Sequence, residues 1–437
     1  MCISPNHRMK QSNKSLSSTF INSFLPNSLL HDLSFDSSFS PDDLNTSTST
    51  QYSKGKFHPP KPHQYSDFLV SHYYKPSQDS FIVTQPTKKT SEVVFPKMNI
   101  EHDVLNYNIS FTAFLNSYGG ILSTIMKKNI GTRYLQKMID TISSNDINLF
   151  FYFTSKNIKE LMCDQYANYF IQKIISKCNY SQRIFLYSKL KYDFISIAKN
   201  ICGTHCLQAL IENISSQQEE NFIFHMTHGH LNEFAFDANG SHVIKKIIEK
   251  IAERKREYIN QFVLTNIIKL SKNANSICIV KQFITCNKDE RIKAQIILSL
   301  ANNIFDITQD LYGNYVVQHL IETFGYYNCF AITRIICLNF VLFSTQKYSS
   351  NVVDKVIIEL HNNNHNELVQ MINQMFFEDS NLFELLNSKY GTFVLANCLK
   401  ILSQNEQNVI KNLLKEKFNF HKDEHRTIFC RLRRLMQ

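Results

Sequence analysis

Asn314, Tyr315 and Gln318 stand within "YGNYVVQHLI", Tyr312–Ile321, and their types and spacing suit recognition of a flat ring with a hydrogen-bonding edge. Asparagine and glutamine each carry a planar amide with donors beside an acceptor. A tyrosine between them offers a face on which a ring can stack. An α-helix advances about 100° per residue. With Asn314 at zero, Tyr315 lies near 100° and Gln318 returns to about 40°, so the trio shares one edge. Val316, Val317, Leu320 and Ile321 fall on the other edge, roughly between 200° and 340°, and are the expected core.

The same ten-residue pattern recurs. Further copies are "IGTRYLQKMI" from Ile130, "YANYFIQKII" from Tyr166, "CGTHCLQALI" from Cys202 and "NGSHVIKKII" from Asn239. Weaker ones are "NSICIVKQFI" from Asn275, "YSSNVVDKVI" from Tyr348 and "YGTFVLANCL" from Tyr390. Their second residues are Gly131, Ala167, Gly203, Gly240, Ser276, Gly313, Ser349 and Gly391, separated by 36, 36, 37, 36, 37, 36 and 42 residues. Such a period implies a solenoid, in which one supersecondary unit packs on copies of itself. Amphipathic stretches between copies, such as "INLFFYFTSKNIKELM", predict a leading helix, a short turn and a second helix carrying the pattern. Asp164, Asp237 and Asp310, just ahead of their copies, are expected to accept from the free amides of the first turn.

The elements that must hold these helices account for residues 96–437. Residues 1–95 are rich in Ser, Asn, Thr and Pro, lack helical periodicity, and are expected to form a disordered leader. Phe68, Tyr73, Tyr74 and Phe81 within it could serve as short docking motifs or merely as linker. "HNNNHNE", from His361, is expected to be a polar loop in the longer last interval, and residues 401–437 a terminal cap.

Composition narrows the function. A formal charge of +10 favours an anionic partner, nucleic acid ahead of membrane. Only 10 glycines argue against a phosphate-cradling α/β fold. The 11 cysteines are scattered with no C-x-x-C pair, which suggests reduced thiols rather than a disulfide frame or a zinc site. No apolar run reaches the ~18 residues of a membrane span. No P-loop, GxSxG or HExxH motif is present, so a non-enzyme is expected. One edge pair and one stacking surface per repeat fits single-stranded RNA read one base at a time. Lys137, Lys173, Lys246 and Lys355, each following the seventh position, are either phosphate contacts or solvated helix face.

On these residues the array resembles the Pumilio-type PUF repeat family. The resemblance implies an all-α, right-handed crescent of eight three-helix repeats of roughly 36 residues. It implies RNA on the concave face, antiparallel to the chain, with no cofactor. It also implies a code: Asn with Gln reads uracil, a small residue with Gln reads adenine, and Ser with Glu reads guanine. Carried onto this chain, Thr132 and Gln136 with Arg133 stacking suggest adenine. Asn168 and Gln172 with Tyr169 suggest uracil, and Thr204 and Gln208 with His205 suggest adenine. Ser241 and Lys245 with His242 depart from the pattern. Ile277 and Lys281 around Cys278 retain neither a polar reader pair nor a ring. Asn314 and Gln318 with Tyr315 suggest uracil. Ser350 and Asp354 with Asn351 keep a carboxylate suited to guanine, whereas Thr392, Phe393 and Ala396 keep only the stacking ring. From 5′ to 3′ the site reads n-G-U-n-n-A-U-A, matching the family's recurrent U-G-U followed by an A/U-rich stretch.

The resemblance further implies a monomeric cytoplasmic regulator that binds messenger RNA 3′ untranslated regions and recruits repressor or deadenylase factors. A nuclear or nucleolar relative acting on ribosomal RNA is the alternative. A protein-binding scaffold of armadillo or HEAT type is disfavoured, because those repeats run about 40–47 residues.

Overall fold

The computed structural model describes residues 109–363 and 378–417. The expected leader and the end of the expected cap lie outside the described residues. So does most of the polar insert, although α-helix continues through His361 to Asn362. Among the described residues every regular element is helical.

The pattern helices are α1 (Asn129–Lys137), α2 (Ala167–Lys177), α3 (Gly203–Glu212), α4 (Gly240–Lys250), α5 (Ile277–Cys286), α6 (Gly313–Asn328), α7 (Ser349–Asn362) and α8 (Lys389–Ile401). Each packs against the next. Most repeats place two helices ahead of the pattern, as in Tyr180–Leu190 and Phe194–Ala198 before α3. The predicted short turn is therefore a short helix, and the unit has three helices. The fifth repeat differs, since Glu257–Ser271 runs unbroken up to the turn before α5. Within α6, Gly325 breaks the helix at φ 77°, in the left-handed region that favours glycine.

The predicted aliphatic edge is the core. Val316, Val317, Leu320 and Ile321 are fully buried, as are their counterparts Phe170, Ile174 and Ile175 in α2 and Val243, Ile244, Ile247 and Ile248 in α4. The invariably small second residue has a steric cause. A Cβ on Gly313 would stand 2.5 Å from the Ile307 carbonyl oxygen at the end of the short helix, and one on Gly131 would stand 2.1 Å from that of Ile125. Ser349 uses the same closeness by donating its hydroxyl to the Phe343 carbonyl at 2.7 Å.

Leading helices are stitched together by polar contacts. Ser143 and Asp146 form a reciprocal capping box, as do Asn179 and Gln182. Arg183 donates Nε to Glu219 at 2.6 Å, one repeat away, and NH1 to the Cys178 carbonyl at 2.7 Å. Both side chains of this pair are buried. Burial opposes ionisation of Glu219, but hydrogen bonds from Arg183, Ser215 and Ser216 outweigh it and hold the carboxyl below its ordinary value. Exposed pairs join successive short-helix regions: Lys127–Glu160, Lys159–Asp193, Lys199–Glu233 and Lys272–Asp306. Solvent and salt screen these, so they contribute little each.

Substitutions at the tight and the buried positions should be costly. Gly313→Ala should lower unfolding free energy by about 1–3 kcal/mol through overpacking. Gly229→Ala, which meets nothing within 4 Å, should stay within about 0.5 kcal/mol of the parent; denaturant titration measures both. Glu219→Ala, which strands the buried Arg183 guanidinium, should cost about 3–5 kcal/mol at pH 7. Because the folded carboxyl titrates below the unfolded one, the stabilisation from Glu219 is present at neutral pH. It should disappear as pH falls through and below the unfolded carboxylate value of about 4.3, so the two proteins should converge in acid.

Candidate nucleic-acid interface

The start of most pattern helices is held by one side chain three residues before the small residue. Asp310 Oδ1 accepts from the backbone N–H of Tyr312 and Gly313, both at 2.8 Å. Asp164 and Asp237 do the same for their helices, as expected. Asn200 and Asn273 act identically, a role that their place in the period would have indicated. A short acceptor there satisfies first-turn amides that the helix leaves unpaired.

This fixed start sorts the trio by depth. The fourth residues are displayed: Tyr169 is 58% exposed, Tyr315 52% and Phe393 62%. Arg133, His205, His242 and Asn351 are exposed as well. The seventh residues Gln136, Gln172, Lys245, Gln208, Gln318, Asp354 and Ala396 are half-buried. The third residues depart from the expected display. Thr132, Asn168, Thr204, Ser241, Asn314 and Ser350 are all buried, because in the first turn they fold back onto nearby backbone carbonyls. Thr132 donates to the Met126 carbonyl at 2.6 Å; Thr204 is the exception, donating to the Asn239 carbonyl of the next repeat at 3.0 Å. Asn314 donates Nδ2 to the Asp310 and Leu311 carbonyls at 2.9 and 3.0 Å.

Buried third residues nevertheless govern the seventh. Gln318 Nε2 donates to Asn314 Oδ1 at 3.0 Å, and Gln172 Nε2 to Asn168 Oδ1 at 2.9 Å. In the third repeat Gln208 Nε2 donates to Thr204 Oγ1 at 3.3 Å. Each leaves one N–H and the carbonyl oxygen of the glutamine amide without a further hydrogen bond among the described residues. The surface thus presents a bidentate amide edge beside an exposed ring.

Other repeats diverge. In the seventh, Asn397 of α8 donates Nδ2 to Asp354 Oδ1 at 2.6 Å, fixing the carboxylate from the next repeat. Sequence reasoning missed Asn397, whose signal is its place directly after the seventh position. In the fifth, Ile277, Cys278 and Lys281 are all half-buried, and the Cys278 thiol donates to the Asn275 carbonyl at 3.3 Å. No ring is displayed there. In the eighth, Thr392 donates to the Ser388 carbonyl at 2.8 Å and Ala396 offers nothing polar. His205 and His242 are close enough to influence each other. Partial enclosure of the ring first, then the charges of Lys245 and His205, push the otherwise exposed His242 below its ordinary value.

The position-eight lysines divide. Lys246 pairs with Glu212 of α3 at 3.0 Å, and Lys355 with Glu322 of α6 at 3.2 Å. These two bridge neighbouring repeats instead of facing outward as free phosphate contacts. Lys137 and Lys173 make no ion pair among the described residues. "CGTHC" is no metal loop: Cys206 is buried against the Asn168 carbonyl while His205 is exposed. No helix among the described residues is long and apolar enough to cross a membrane.

The Pumilio-family RNA binding repeat matches residues 124–151, 157–191, 193–225, 230–259, 303–325 and 339–372. The fifth and eighth pattern helices, where the trio is most altered, fall outside these matches. The chain is 25% identical over 301 residues to Pumilio homolog 12 of Arabidopsis thaliana, covering 68% of this chain and 49% of that protein. It is 26% identical over 332 residues to Pumilio homolog 11 of the same plant, covering 74% and 56%. It therefore spans about half the length of these relatives. Among solved structures it resembles the Puf3 RNA binding domain bound to a Cox17 RNA 3′ UTR recognition sequence, with TM-score 0.63, 20% identity, and 77% and 100% of the two chains covered. PUF-8 in complex with PBE-RNA matches with TM-score 0.63, 20% identity, and 77% and 99% coverage. At such identities these likenesses speak for the fold. Repeat period, three-helix unit, stacked pattern helices and matched segments together identify the array as one of Pumilio-family RNA binding repeats.

Proposed function

We propose that this protein binds single-stranded RNA sequence-selectively and regulates messenger RNAs in the cytoplasm through 3′ untranslated sites of the form UGUnnAUA. The observation that carries this reading is the recurring pair of a displayed ring and an oriented glutamine edge, best formed in the second and sixth repeats. A ring stacks on a base for roughly 1–3 kcal/mol. The free carbonyl and N–H of the glutamine match a base edge that offers one donor and one acceptor. The buried third residue selects among bases by setting the glutamine: Asn Oδ1 holds Nε2 at 2.9–3.0 Å in the uracil repeats, and Thr Oγ1 at 3.3 Å in an adenine repeat. In the seventh repeat, the Asp354 carboxylate replaces the amide and would accept from the two donors of guanine.

In this reading the array is an address for transcripts, with recruitment of repressor or deadenylase factors elsewhere on the chain. Support comes from the family and from relatives whose structures hold 3′ UTR RNA. Catalysis has no part in it.

Equilibrium competition should show preference for UGUnnAUA over the same RNA with its GU changed to CC; equal binding would reject sequence-selective reading. Asn314→Ser with Gln318→Glu should move the third base of the site from uracil toward guanine. The discrimination should amount to about 1–3 kcal/mol, read by binding to RNAs differing at that base alone.

A further inference from the structure

At the centre of the pattern surface, two consecutive repeats carry lysine where the intact repeats carry glutamine: Lys245 on α4 and Lys281 on α5. Neither forms an ion pair among the described residues, in contrast to Lys246 and Lys355, which pair with carboxylates of the preceding pattern helix and of their own. Lys245 lies close enough to influence both His242 and, across the helix junction, Cys278. Lys281 likewise influences His319 of α6, whose ring nitrogen sits 3.1 Å from the Lys281 carbonyl. Two half-buried lysines thus stand on adjacent helices, each with a histidine near it and a thiol between them.

The amide or carboxylate edge of the reading repeats is absent from the seventh position of the same two repeats. Ser241 is fully buried, with its hydroxyl turned to the Ala238 carbonyl at 3.4 Å. Ile277 has no polar group, and Cys278 is half-buried with its thiol on a backbone carbonyl. An ammonium is a compact point charge with three donors and no acceptor. It cannot reproduce an amide edge, but it suits a phosphate oxygen.

We propose that Lys245 and Lys281 form a phosphate-binding station that holds the RNA backbone at the fourth and fifth nucleotides of the site, leaving those two bases unread. This rests on the RNA-binding reading above and deepens it. The station would anchor the strand across the gap between two base-reading segments, repeats one to three and repeats six and seven. It accounts for both central "n" positions by one cause, substitution of charge for an edge reader.

The test uses the full chain and UGUnnAUA RNA. Lys245→Gln with Lys281→Gln installs the residue found at this position in intact repeats, and circular dichroism melting checks the fold. Removing two phosphate-neutralising charges, at about 0.7 each, should reduce the slope of log K against log salt by about 1.4. Lys245→Arg with Lys281→Arg should retain the parent slope. Uncharged methylphosphonate linkages flanking the two central nucleotides should weaken the parent several-fold and the glutamine variant hardly at all. Removing the fourth base, which faces the ringless fifth repeat, should change parent binding less than twofold. An unchanged slope in the glutamine variant, or a tenfold loss on removing the fourth base, would overturn the station. Loss of the parent's U-G-U preference would instead reject the sequence-selective reading, so the two failures are distinguishable.

Discussion

Contact between the small residue of most pattern helices and the carbonyl six positions earlier sets the geometry of the array. It brings the pattern helix against the end of the short helix with no room for a larger side chain at Gly131, Gly203, Gly313 or Gly391. Alanine and serine serve at other copies; Ser349 turns this closeness into a hydrogen bond to Phe343, whereas Ser276 donates to the Ala235 carbonyl of the previous repeat. A side-chain acceptor three residues ahead secures the first turn in most copies. Once helix start and contact point are set, rotation of about 100° per residue decides which side chains are core, which are half-sheltered and which are displayed.

Stability in such a stack is approximately a sum of units and junctions, and the junctions here are unequal. Between the leading helices of the third and fourth repeats a buried Arg183–Glu219 pair is satisfied by backbone and hydroxyl groups. At the next equivalent place Arg256 finds Asn287 and the Ile251 carbonyl, without a carboxylate partner among the described residues. The adjoining fifth repeat also merges its first two helices and lacks a displayed ring. Structural and chemical departures therefore coincide at the middle of the array. Lysines replace glutamines there too, and a change of role from reading bases to holding backbone accommodates all of these departures.

Much of the fold and of the site is legible from residues alone. A period of 36 or 37 residues, alternation of aliphatic and polar edges, and the Asp acceptors come from local rules that a helix obeys wherever it sits. Those rules located α1 to α8 and their core faces, and the matched family repeats cover all of them but α5 and α8. Periodicity alone did not reveal the middle helix, which the family resemblance implied, because five or six residues, as in Phe194–Ala198, are too few to display a period.

What only tertiary structure decided is depth and partnership. Angle on a helix does not tell Asn314 from Tyr315 in exposure; Asn314 is buried because the preceding turn offers carbonyls within reach of its short amide. Nor does position eight reveal that Lys246 and Lys355 face carboxylates of the previous repeat, while Lys245 and Lys281 pair with none among the described residues. The sequence by itself determined the period, the helical faces and the trio's register, since these depend on neighbours along the chain. Which trio members reach solvent, and which charges find a partner, depends on groups some 36 residues away brought close by stacking.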